Sequence, residues 1–264
     1  LHDLDGLSGI LTNPGITLIN NASLTNVDVF SHLTFLNGGL SLERNNQLLD
    51  LSGFGQLTKV NSLFLERTPY TNLNAFSNLS TIVQLLVLRR NEQLENLSGL
   101  EQITALRSGL TISNNDLLLD LHGLAMLDTI MGYASIGSND NLIDLKGLDN
   151  LNYIGRNLSI DNNENLKSLN GLENLNHVGE NFLIHRNQNL LTLEGLSTLS
   201  HIGESLIISD NIKLESLGVT IPVSHIGKDL EIESNDILTS LKGLEKIESV
   251  GRELRIGPNA CTNL

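Results

Sequence analysis

The repeat that decides the fold reads Leu166-Lys-Ser-Leu169-Asn-Gly-Leu172-Glu-Asn-Leu175-Asn-His-Val178-Gly-Glu-Asn-Phe182-Leu-Ile184-His-Arg-Asn187. Its final asparagine recurs every 24 residues from residue 91 onward, and an earlier pair keeps the same interval. Thr68 fills the gap between the two series, with an interval of 23 residues on each side. Self-similarity at this period is the signature of a solenoid. The recurring residues, which we call the marker asparagines, are Asn21, Asn45, Asn91, Asn115, Asn139, Asn163, Asn187, Asn211, Asn235 and Asn259.

Apolar residues follow a fixed spacing after each marker. They lie three apart around most of the repeat and two apart just before the next marker, as at Phe182 and Ile184. A spacing of three does not sustain the stripe of a long amphipathic helix, whereas a spacing of two indicates a half-buried strand. The sequence therefore predicts a mainly β solenoid of about eleven coils of 24 residues. We expect one elongated domain over residues 1–264, with a partial coil at 1–20 and a terminal coil or cap at 254–264.

The marker asparagine has a predicted structural role. Where a buried strand ends, the backbone turns and its N–H and C=O groups need partners. An amide side chain both donates and accepts hydrogen bonds, whereas an ionised Asp only accepts and Leu does neither. We therefore expect the marker asparagines to lie at the corners of the coils, hidden from water.

Two glycine columns accompany the markers, eight and sixteen residues after them, as at Gly171 and Gly179. Both suit tight turns with positive φ, or a close approach between coils. They lack the spacing of phosphate-binding loops, so a nucleotide site is not expected.

Composition excludes several classes of function. The net charge is −14, which disfavours nucleic acids and anionic lipids as partners. Trp is absent and aromatic residues are 3% of the chain, which removes the usual stacking platforms for sugars and bases. Cys261, the single cysteine, is either a free thiol or half of a disulfide that closes a C-terminal cap. No apolar run is long enough to cross a bilayer, so any anchor would lie outside this segment.

The repeat phrase resembles a known family. Leu-x-x-Leu-x-Gly-Leu-x-x-Leu-x-x-Ile-Gly-x-x-Leu-x-Ile-x-x-Asn, clear over 142–163, 166–187 and 190–211, is similar to leucine-rich repeats of the receptor L-domain type. These occur in insulin- and growth-factor-receptor ectodomains and in microbial surface proteins. The resemblance implies a right-handed parallel solenoid, secreted or at the cell surface, that binds a protein or peptide. The flanking cysteine-rich modules are absent and the coils are more numerous, which favours a microbial protein; whether two copies form a homodimer stays open.

Candidate sites must lie on outward positions, because the inward residues fill the core. Two groups of outward residues on the predicted sheet combine apolar and charged side chains, a composition typical of interface hot spots. The first, which we call the arginine patch, consists of Glu43, Arg44, Phe64, Glu66, Arg67, Val87, Arg89 and Arg90. The second, which we call the histidine patch, consists of Asp161, Leu183, His185, Arg186, Ile207 and Asp210.

The leading hypothesis is a non-enzymatic recognition or adhesion module that binds protein on an outward face. A rigid spacer in a larger surface protein is the alternative, and an ice-binding or crystal-binding solenoid is a third. No cofactor, metal or catalytic residue is expected. His177, His201 and His225 recur at one position of three successive coils, which predicts an outward row of imidazoles.

Overall fold

Two parallel sheets run along the molecule in the computed structural model, which describes residues 1–10 and 12–259. In this described part of the chain, the longer sheet has eleven strands. They are β1 Ile16–Ile19, β2 Leu40–Glu43, β3 Lys59–Glu66, β4 Thr81–Arg89, β6 Gly109–Ser113, β8 Tyr133–Gly137, β10 Leu158–Asp161, β12 Phe182–His185, β14 Leu206–Ser209, β16 Asp229–Glu233 and β18 Glu253–Ile256. The predicted stacked β-solenoid is confirmed.

Within the described residues, the shorter sheet has seven strands, each of two residues. They are β5 Ala105–Leu106, β7 Thr129–Ile130, β9 Tyr153–Ile154, β11 His177–Val178, β13 His201–Ile202, β15 His225–Ile226 and β17 Ser249–Val250. Short 3-10 helices lie at another point of the coil, at Asp5–Leu7, Asp28–Phe30, Ser52–Phe54, Asn74–Phe76 and His122–Leu124. The repeat pattern predicts one strand per coil, and this second sheet was not expected.

Neighbouring strands pair one repeat apart. Leu158 lies opposite Phe182, and Ile160 lies opposite Ile184, so each inward side chain stacks on its equivalent in the next coil. At about 4.8 Å between strands, the longer sheet is roughly 50 Å long. Equivalent outward residues of successive coils therefore lie directly above one another and form columns along the sheet.

The predicted inward positions fill one continuous core. All seven apolar residues of the quoted repeat, from Leu166 to Ile184, are completely buried. The core cluster runs from Leu4 to Leu238 without a break. A fully buried Leu contributes about 1.5–3 kcal/mol, but only when the neighbouring coil keeps its other side dry.

The marker amide bonds to the coil before it. Oδ1 of Asn163 accepts the backbone N–H of Asn139 at 3.1 Å, and Nδ2 of Asn163 donates to the carbonyl oxygen of Ile136 at 3.0 Å. The same pair of bonds recurs from Asn91 to Asn259. One side chain thus satisfies a donor and an acceptor at each corner.

The two ends of this ladder differ from the expectation of full burial. Asn45 and the markers from Asn91 to Asn235 are at most 1% exposed, whereas Asn21 and Asn259 are half-buried. Nδ2 of Asn21 bonds only within its own coil, to the carbonyl oxygen of Ile19 at 3.2 Å. A marker is hidden from water only where coils cover it on both sides. Cys261 lies outside the described residues.

The two coils on either side of Thr68 are one residue shorter than the others, and the missing residue lies at a different point in each. A register shift between Val60 and Ser62 absorbs the first loss, so β3 runs on where regular coils turn. The second loss follows Thr68, and Tyr70 then takes the inward place that Leu holds in regular coils. Its hydroxyl is buried without a hydrogen bond, and burial raises the pKa of Tyr70.

The glycine columns have the two predicted properties. Gly171 has a φ of 108°, a conformation that other residues adopt at a cost. A Cβ on Gly179 would lie 2.1 Å from the carbonyl oxygen of Gly155 in the neighbouring coil. The absence of a side chain therefore sets the distance between coils at this turn.

Replacing one marker tests the ladder. We expect Asn163→Asp to reduce the free energy of unfolding by about 3 kcal/mol at pH 7, because a buried carboxylate cannot donate to the carbonyl oxygen of Ile136. The control is Asn162→Asp, the same change at the exposed neighbouring residue, which should shift the free energy by less than about 0.5 kcal/mol. Urea unfolding measures the free energy of unfolding of both variants. An equal decrease in the two variants would contradict a special role of the marker.

Adding one methyl group tests the close approach of coils. Gly179→Ala should destabilise the fold by about 2 kcal/mol or more, because two backbones must move apart. Gly9→Ala is the matched control, since a Cβ at Gly9 would have no atom within 4 Å. Thermal unfolding followed by circular dichroism compares them. A Gly179→Ala melting temperature equal to that of the control would show that the coils are not held this closely.

Candidate functional site

A left-handed residue turns the chain directly before each marker from Asn21 to Asn235 and before Thr68. Its φ lies between 50° and 57°, although it is never glycine; the last marker, Asn259, follows Pro258 instead. These residues are Asn20, Arg44, Arg67, Arg90, Asn114, Ser138, Asn162, Arg186, Asp210 and Ser234. Left-handed backbone is uncommon outside glycine. Three arginines of the arginine patch, one on each of three successive coils, therefore share the same constrained backbone conformation.

The arginine patch is only partly neutralised by its own carboxylates. Glu43 pairs with Arg44 at 2.7 Å. Glu66 lies 3.1 Å from Arg90 and 3.8 Å from Arg67. Two carboxylates serve four guanidinium groups, so the patch keeps an excess of two positive charges in a protein whose net charge is −14.

The apolar members of the patch lie beside these charges. Phe64 of β3 and Val87 of β4 are register partners, and both side chains are half-buried. Glu66 and Arg89 are register partners two residues further along the same strands. The sheet thus brings together Phe64, Val87 and the charged ends of these strands.

A groove of about 550 Å³ follows the corner at this point. Three guanidinium groups from successive coils, those of Arg44, Arg67 and Arg90, line it, and their side chains are 39–48% exposed. Phe64, Val87 and Arg89 are not among the lining residues. The groove is also lined by Thr68, which takes a marker position, and by residues that were not predicted as site residues: Asn20, Ala22, Asn46, Pro69, Glu92 and Gln93. Most of them directly flank a marker or its arginine, and that adjacency was the signal available in the sequence.

The histidine patch is a smaller hydrogen-bonded group. Nδ1 of His185 lies 2.8 Å from Oγ of Ser209 and 3.3 Å from Oδ2 of Asp210. Asp161 instead accepts a hydrogen bond from Oγ of Ser159 at 3.2 Å. Leu183 and Ile207 are register partners on β12 and β14. Arg186 is exposed at the corner. None of these residues lines the corner groove.

A column of carboxylates continues the corner beyond the arginine patch. Glu92, Asp116, Asp140 and Glu164 each follow a marker directly, one per coil. Their side chains form no ion pair with the described part of the chain. Burial, together with the charges of Asp140 and Glu92, raises the pKa of Asp116. We call these four residues the acidic column. They were not predicted as a site, although their place directly after the marker is visible in the sequence.

Two rings of the predicted histidine row, those of His177 and His201, stack on one another and on a tyrosine. Tyr153 and His177 have centroids 4.5 Å apart, and His177 and His201 have centroids 4.2 Å apart, with nearly parallel planes. Burial and the neighbouring His201 lower the pKa of His177. No group of three or more His, Cys, Asp or Glu side chains is placed to hold a metal ion among the described residues.

No helix of residues 1–10 and 12–259 is both long and apolar enough to cross a membrane. The sequence matches no family model and no curated protein. Among solved structures it is similar to an internalin from Listeria monocytogenes, with a TM-score of 0.48 and 17% sequence identity over 96% of this chain and 83% of that chain. The 24-residue repeat and the stacked strands themselves make the protein a leucine-rich β-solenoid.

Proposed function

We propose that the protein is a non-enzymatic recognition module that acts outside the cell and binds a protein partner through the arginine patch. The observation that carries this proposal is the corner groove, where Arg44, Arg67 and Arg90 stand in line with excess positive charge. Guanidinium groups form paired hydrogen bonds with carboxylates, so the partner surface is acidic.

The scaffold supports binding because it is already ordered. The three arginines lie on successive coils of a packed sheet, so binding does not have to order the backbone that carries them. Phe64 and Val87 supply half-buried apolar area next to the charges, as interface hot spots do. The receptor L-domain resemblance of the repeat supports the extracellular setting.

A rigid spacer without its own ligand is the competing function. Nothing in a spacer requires an excess of arginine at one corner of a strongly acidic protein, and this asymmetry favours recognition. Ice binding requires flat ladders of one residue type, whereas the outward column through Phe64 and Val87 also contains Ser41 and Thr111.

Reversing two charges of the groove tests the proposal. Fluorescein-labelled dodecapeptides rich in Glu should bind the protein more tightly than neutral dodecapeptides of equal length. Arg67→Glu with Arg90→Glu should weaken binding of the acidic peptides at least tenfold, or about 1.4 kcal/mol, because two attractive contacts become repulsive. Fluorescence anisotropy at about 0.15 M salt, where charges are screened beyond about 8 Å, measures the affinities.

The matched control reverses two exposed cations outside the patch. Arg107→Glu with Lys246→Glu changes the net charge equally, and neither side chain forms an ion pair within the described residues. This variant should bind acidic peptides almost as well as the unmodified protein. Equal binding of acidic and neutral peptides, or equal losses in the two variants, would contradict recognition through the arginine patch.

A further inference from the structure

The corner of the solenoid carries opposite charges on adjacent stretches. The residues just before and just after a marker share one surface, because the corner groove is lined by Arg44 with Asn46, and by Arg90 with Glu92. Along this surface, arginines occupy three successive coils and the acidic column starts in the third of them and extends over three more. One stretch of the corner is therefore positively charged, and the adjacent stretch is negatively charged.

We propose that the arginine patch binds the acidic column of a second copy of this chain, so that two solenoids associate side by side and antiparallel. This inference rests on the proposed recognition role of the arginine patch and names its partner.

The spacing of the two charge rows favours a second copy. Each row has one residue per coil of the same stack, so in both rows neighbouring residues lie about 4.8 Å apart. A two-fold axis placed between the coil of Arg90 and the coil of Asp116 puts every arginine of the row opposite a carboxylate. The facing pairs are Arg90 with Asp116, Arg67 with Asp140, and Arg44 with Glu164, each occurring twice by symmetry. Such a self-complementary contact is the usual form of a two-fold dimer.

The state of the two rows in the single chain also favours this partner. The arginine patch keeps excess positive charge, and the acidic column has no ion pair within the described residues. Burial raises the pKa of Asp116, and the like charges of Asp140 and Glu92 raise it further, so these carboxylates repel one another. Opposing arginines would relieve this repulsion.

A second copy also has an advantage over a flexible acidic peptide. The carboxylates of the acidic column are already held at the pitch of the arginines, whereas a disordered peptide must lose conformational entropy to match it. The overall charge of −14 opposes association at long range, but about 0.15 M salt screens charges beyond about 8 Å while facing pairs lie closer.

Charge exchange between two variants tests the inference. The first variant carries Arg67→Glu and Arg90→Glu, and the second carries Asp116→Arg and Asp140→Arg. In a dimer of either variant alone, like charges face one another; in a mixed dimer, the new glutamates of one chain face the new arginines of the other. A chain with all four substitutions restores opposite charges in its own dimer.

Sedimentation velocity over about a hundredfold range of protein concentration, at about 0.15 M salt, measures association. We expect the unmodified chain to show dimers, each variant alone to need at least tenfold more protein to reach the same dimer fraction, and both the equimolar mixture and the fourfold variant to recover. The Arg107→Glu, Lys246→Glu variant is the control and should dimerise as the unmodified chain does. Circular dichroism confirms that each variant is folded.

Three results would overturn the inference: an unmodified chain that stays monomeric at every concentration, dimers that persist in both charge-reversed variants, or a mixture that fails to associate. The peptide experiment separates these failures from failure of the proposed function. A monomeric chain that still binds acidic peptides through Arg67 and Arg90 retains the recognition role but has a different partner.

Discussion

From Asn91 to Asn259, the hydrogen bonds of each marker amide join its coil to the one before it. Oδ1 of Asn187 accepts the backbone N–H of Asn163 at 3.0 Å, and its Nδ2 donates to the carbonyl oxygen of Ile160 at 2.9 Å. Both partners belong to the preceding coil, so no coil can complete its own corner. Because a buried unpaired N–H or C=O costs about 1–3 kcal/mol, the repeats have to stack in one register. The parallel pairing of the sheet and the columns of outward residues both depend on this constraint.

The same constraint separates structure from function along each coil. Inward positions such as Leu166 and Ile184 are occupied by the core in every repeat, and Gly179 keeps the coils close. Only outward positions are free to differ between coils. The corner residue before the marker is the clearest case, because Arg44 and Asp210 adopt the same left-handed backbone with opposite charges. Charge can therefore vary along the corner without disturbing the fold.

Much of the fold could be predicted from the sequence because its determinants are periodic. The burial of Leu166, Phe182 and Ile184 follows from spacing alone. The second sheet was missed because strands of two residues, such as His177–Val178, have no alternation to detect. The left-handed column was missed because arginine, serine, asparagine and aspartate share no propensity that would indicate it. The partial exposure of Asn21 depends on which coils cover it, and the repeat pattern does not contain that information.

The arginine patch was visible in the sequence from its composition, but the groove also depends on Pro69 and Glu92 from the turn after the marker.

Amide hydrogen exchange at the marker residues tests the central claim most directly. The backbone N–H of Asn115, Asn139 and Asn163 donates to the amide oxygen of the next marker, at 3.0–3.1 Å. If these bonds hold the stack together, these amides exchange only when the coils unfold, with protection close to the full free energy of unfolding. The amide of an exposed residue with no such bond, such as Glu164, should exchange far faster. Marker amides that exchange as fast as that of Glu164 in the folded protein would contradict the account.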